Sequence, residues 1–97
     1  MIKIDGKVLK FVKDEAKKTG MERPVVLLMD CGCMMNQESV EVDIRSEPEE
    51  GLDPYTEIGG ISFFVSPKVR HIVDRGKLAV SSYGAGKFKK LEFLHER

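Results

Sequence analysis

Hydrophobic and polar positions change period several times along the chain, and each change marks an element. Val8, Leu9, Phe11, Val12 and Ala16 fall on one stripe at helical spacing, and Lys7, Lys10, Lys13, Asp14, Lys17 and Lys18 cover the other side. Asp5 is a good N-cap before this stretch and Gly20 a natural stop after it, so the pattern predicts a helix between them. Met1 to Ile4 reads as a short strand ahead of the helix. Pro24 to Asp30 is apolar almost throughout, as expected of a strand buried on both faces. Cys31 to Glu38 has loop character. Val40, Val42 and Ile44 then alternate with Glu41, Asp43 and Arg45, the mark of a half-buried strand.

The second half continues in β-like periods. Glu47-Pro48-Glu49-Glu50-Gly51 is an acidic loop, extended by Asp53-Pro54. Tyr55 to Ile58 and Ile61 to Val65 flank Gly59-Gly60, a hairpin signal because both glycines accept positive φ. Ser66 is expected to cap a short helix with Pro67 at its first position, running through Val69, Ile72 and Val73 to Gly76. Leu78 to Ser82 and the segment holding Phe88, Leu91 and Phe93 read as strands around a Gly84-Ala85-Gly86 turn. The expected fold is mainly β (α+β): about six strands in a small barrel or two-layer arrangement, an N-terminal helix packed on it, and a short helical insert.

Length and charge narrow the picture. At 97 residues the chain is expected to form a single domain, residues 1–97. Sixteen basic residues balance sixteen acidic ones, so the charge balance points to neither nucleic acid nor an anionic membrane as a partner. No apolar run approaches the ~20 residues that span a bilayer, and Asp5 interrupts the N-terminus before any signal-like apolar region. These features lead to an expected cytoplasmic location. There, closely spaced cysteines point to metal or redox chemistry rather than to a structural disulfide.

Both cysteines stand together, in Cys31-Gly32-Cys33, at the exit of the buried strand. Paired thiolates select iron–sulfur clusters, zinc or Cu(I), and they also exchange disulfides. The bland alternative is a pair of inert buried thiols. Asp30, next to Cys31, opposes thiolate formation, so a metal or a second protomer is the expected activator. A lone Cys-x-Cys pair cannot fill a four-thiolate site, whereas a symmetric homodimer supplies two thiols from each copy. Within one chain, closing the pair as a disulfide requires a tight turn at Gly32.

The order of these elements resembles the HesB-like family of A-type iron–sulfur carriers. Asp30-Cys31-Gly32-Cys33 is similar to that family's Gly-Gly-Cys loop. The segment Gly60-Ile61-Ser62-Phe63-Phe64-Val65-Ser66-Pro67-Lys68 is similar to its hairpin return, and Leu78-Ala79-Val80-Ser81-Ser82-Tyr83 to the strand after it. The resemblance implies a HesB-like pseudo-barrel, binding of a cluster or iron across a dimer, and iron–sulfur assembly or acceptor proteins as partners. Cys33 matches the family's first ligand, and Cys31 stands where the family usually has glycine. The family's C-terminal Cys-x-Cys pair has no counterpart in Phe93-Leu94-His95-Glu96-Arg97.

The remaining residues suggest less. His71 reads first as a surface or packing histidine, with metal ligation as the sharper reading, and His95 as a solvated residue of the tail. Met29, Met34 and Met35 read as soft packing, with Cu(I) ligation or a dimer face as the sharper reading of Met34 and Met35. Lys87, Lys89 and Lys90 read as a solvated strand face, and Tyr55 and Tyr83 have no partner in sequence that suggests catalysis. No hydrolase-like Ser/His/Asp set stands at readable spacing, so a non-enzymatic binding protein is expected. Two alternatives stand beside it: a thiol redox protein that cycles Cys31 and Cys33, and a partner-binding domain without ligand chemistry.

Overall fold

In the computed structural model the described residues are 1–30, 40–86 and 88–95, with Tyr83 and His95 described by their backbone. They form a mainly β, α+β fold with two sheets and an N-terminal helix. Helix α1 spans Gly6–Thr19, and the strands are β1 Val25–Asp30, β2 Val40–Arg45, β3 Asp53–Ile58, β4 Ile61–Val65, β5 Gly76–Tyr83 and β6 Phe88–His95. A second, short helix, α2, spans Arg70–Val73.

Helix α1 begins and ends where the sequence says it should. The Asp5 carboxylate accepts from Lys7 N at 2.9 Å and Val8 N at 3.2 Å, filling two donors the first turn leaves open. At the other end Gly20 takes φ +77°, and Met21 N donates to Ala16 O at 2.8 Å, closing the last turn. Val8, Val12 and Ala16 are buried. Leu9 and Phe11, expected on the same core-facing stripe, are only half-buried. The buried stripe is narrower than the apolar one, because three residues at i, i+4 and i+8 already fill the contact with the sheet.

One sheet has four strands in the order β2-β1-β4-β3, and the other pairs β5 with β6. β1 lies inside the larger sheet, antiparallel to β2 and parallel to β4. Val25 to Leu28 are buried in succession, as a strand covered on both faces requires. Gly59 and Gly60 turn β3 into β4 with φ +60° and +82°, the two positive angles of a tight hairpin whose Ile58 and Ile61 pair across it. Edge strand β3 tolerates Pro54 and carries a register shift between Pro54 and Thr56.

Two local expectations are corrected. Met1 to Ile4 contribute a single bridge, Lys3 to Lys77, in place of a strand, with Lys3 N on Gly76 O and Leu78 N on Lys3 O. Ser66 does not cap α2. It is buried, its backbone N–H reaches Leu28 O at 2.8 Å, and its hydroxyl accepts from Lys68 N within a turn; the helix starts after Val69. The sheet claims the Ser66 backbone first, which delays the helix. The core joins Val8 and Val12 of α1, Val26 and Leu28 of β1, Phe63 and Val65 of β4, Ile72 and Val73 of α2, and Leu78 of β5.

The loop after the central strand and its surroundings

Cys31 and Cys33 lie outside the described residues, as do Met34 and Met35. What is described is their anchorage. Asp30, which precedes Cys31, is the last residue of β1, and its Cα partner across the ladder is Val40, the first residue of β2. The chain therefore leaves and re-enters the sheet at the same end. β1 is held by the β2 ladder along its whole length and by β4 as far as Leu28 and Val65. The Ser66 bond to Leu28 O extends that attachment past the end of β4.

The other candidate ligands are scattered. Met29 is half-buried in β1 opposite Glu41. His71 is exposed on α2. His95 ends β6, where its backbone pairs with Gly76. Among the described residues no three His, Cys, Asp or Glu side chains converge on a point that could hold a metal ion.

Tyr55 has the partner its sequence context did not reveal. It stands at the β3 irregularity, where the register steps from Pro54 to Thr56. Its hydroxyl donates to the Asp74 carboxylate just beyond α2 and accepts from Ile2 N at 2.8 Å. The Arg70 guanidinium lies 5.8 Å from the ring centroid. One side chain thus ties the N-terminal segment, β3 and the end of α2 together. Burial, reinforced by the bond to Asp74, raises the phenol above its usual range, against the opposing bond from Ile2. Sequence offered no signal for this cluster, because its members stand 19 and 53 residues apart. Lys89 and Lys90 are exposed on β6, as a solvated strand face requires, and they line a cleft with Phe11, Val42, Ile44 and Leu91 between α1, β2 and β6.

No protein-family model and no curated protein matches the chain. Among solved structures, a protein from Aquifex aeolicus determined in solution by NMR has a similar fold. It superposes with a TM-score of 0.66 at 16% identity, covering 94% of this chain and 89% of that one. At that identity the likeness concerns the fold alone. Among the described residues no helix is long and apolar enough to cross a membrane.

Proposed function

We propose that the chain is a non-enzymatic, HesB-like binding protein that holds an iron–sulfur cluster, or alternatively zinc or Cu(I), through Cys31 and Cys33. The observation that carries this reading is that both thiols follow directly in sequence after β1, a strand paired with β2 as far as Asp30 and with β4 as far as Leu28. Soft thiolate donors suit these metals above hard cations. A firmly held strand end limits the wandering of a ligand loop, which reduces the ordering cost of coordination.

Ligand count supports a shared site. Each chain offers two cysteines, and thiolate-ligated clusters and structural zinc take four protein ligands. A two-fold axis through facing Cys31–Cys33 loops doubles the supply, and the same patch on both copies makes the contact self-complementary. The bound cluster is cargo in this reading, passed between iron–sulfur assembly and acceptor proteins in a reducing, cytoplasm-like compartment. The reading also draws on the order of elements: capped helix, central strand, glycine hairpin, the Ser66-Pro67 turn with a short helix and a further strand follow one another along the chain.

Anaerobic reconstitution with iron and sulfide tests the reading. The parent chain should give a coloured species with sulfide-to-iron absorption in the visible range. C33S should abolish it and C31S should weaken or abolish it. Equal iron binding by both variants would refute thiolate ligation.

A further inference from the structure

We infer that the groove between α1 and the β5–β6 hairpin is a docking site for an acidic segment of a partner protein that carries a bulky apolar anchor. The groove has a volume of about 730 Å³. Its apolar lining is Phe11 from α1, Val80 from β5 and Phe88 from β6. Phe88 is 56% exposed, yet its position is constrained, since the ring lies so close to Gly84 that a Cβ there would approach it to 2.8 Å. An exposed aromatic that lines a concavity together with two further apolar side chains, Phe11 and Val80, offers an anchor pocket of the kind protein partners use.

Charge selects the occupant. Lys7 and Lys10 rise from α1, and Lys89 from β6, around the aromatic pair. Lys7 and Lys10 stand about one turn apart on α1, and the fold brings Lys89, distant in sequence, to the same groove. None of them forms an ion pair among the described residues. Lys18 and Glu15 also line the groove and face each other at 3.7 Å, so they offset one another. Asp14 is the remaining acid against the three lysines. Surplus positive charge beside a few exposed or half-buried apolar side chains complements carboxylates that flank an aliphatic or aromatic side chain.

Other occupants fit less well. Nucleic acid needs a continuous basic track for its phosphates, and Asp14 and Glu15 interrupt this one while the whole chain carries no net charge. A second copy of the chain has an acidic stretch to offer, Glu47 to Asp53. Its large aliphatic residue, Leu52, is half-buried against its own chain and so is poorly placed to serve as an anchor.

The full chain, immobilised, is used to select from a random phage-displayed peptide library. Selected peptides should be enriched in Asp and Glu flanking one bulky apolar residue. Synthetic copies should bind more weakly as salt rises, and K7E/K10E/K89E should weaken them by about tenfold or more, three rim charges acting together. F88S should weaken them independently, and amide NMR shifts should cluster on α1, β5 and β6 around the groove. Thermal melts of each variant check that the fold is retained. The inference is overturned by a library that yields no binders, by binders without acidic enrichment, or by unchanged affinity in the lysine variant. It is also overturned if a random single-stranded oligonucleotide displaces the peptides from the groove. Self-association of the parent chain that the lysine variant abolishes would assign the groove to a second copy and overturn it too.

Discussion

The Phe93 ring occupies the space where a Cβ on Gly76 would sit, and the carbonyl oxygen of Leu94 lies 2.7 Å from that same point. Gly76 opens β5 and pairs with His95 at the end of β6, so the absence of a side chain lets the two strands and the ring close together. Gly76→Ala should therefore destabilise the fold by about 1–3 kcal/mol, the range for overpacking. Urea denaturation checks this. Adding Phe93→Leu should recover part of the loss and not all of it, because the Leu94 carbonyl stays where it is.

The Asp5 cap supplies a second test. Its carboxylate accepts from two backbone donors of α1, Lys7 N and Val8 N, and Val8 N shares its bond with the Asp5 carbonyl. Asp5→Ala should cost about 1 kcal/mol, and Asp5→Ser, which keeps a side-chain acceptor, should cost much less. Thermal unfolding of the two variants side by side distinguishes loss of the cap from loss of charge.

Tyr55 predicts a loss of stability in alkali. Its phenol is raised above the usual value of 10.0, first by burial and then by the bond to Asp74. The folded state thus holds its proton more tightly than the unfolded chain. The stabilisation is fully present below the unfolded pKa and is lost as pH rises through the folded one. The midpoint of urea unfolding should fall above about pH 10. Tyr55→Phe, which has no proton to lose, should flatten that decline while lowering stability at neutral pH by about 1 kcal/mol through the unmet Ile2 and Asp74 partners.

Ala85 sits at φ +60° between Gly84 and Gly86 in the β5–β6 turn, a left-handed conformation that strains an L side chain. Relief of about 1–2 kcal/mol of strain outweighs the extra backbone entropy that glycine brings, about 0.5–1 kcal/mol. Ala85→Gly should therefore stabilise the protein slightly, by about 0.5–1 kcal/mol, as an upward shift of the thermal midpoint. A destabilised variant would mean the turn gains more from the alanine methyl than it loses in strain.

Much of the fold was legible in the sequence because its signals are local. Asp5 and Gly20 bound α1, Gly59-Gly60 makes the hairpin, and the run from Val25 to Leu28 reports a strand covered on both faces. The parallel pairing of β1 with β4 was not legible, since no local pattern states which strands meet. The Ser66 turn was misread for the same reason: its sequence favours a cap, while a bond to Leu28, distant in the chain, decides its conformation. Phe11 shows the limit of periodicity, which locates an apolar face and not how much of it a partner covers. At the candidate site the sequence shows two thiols one residue apart and nothing of their arrangement, and Cys31 and Cys33 fall outside the described residues. The lysine rim around Phe88 was invisible because α1 and β6 converge only in three dimensions.

The proposal of a shared thiolate site is tested most directly by native mass spectrometry of anaerobically reconstituted protein, which weighs chains and metal together. The account predicts a species of two chains carrying one iron–sulfur cluster, or one metal ion if zinc or Cu(I) is the cargo, absent from C33S. A loaded monomer with its own metal, or a parent chain that acquires no metal and no sulfide, would contradict it.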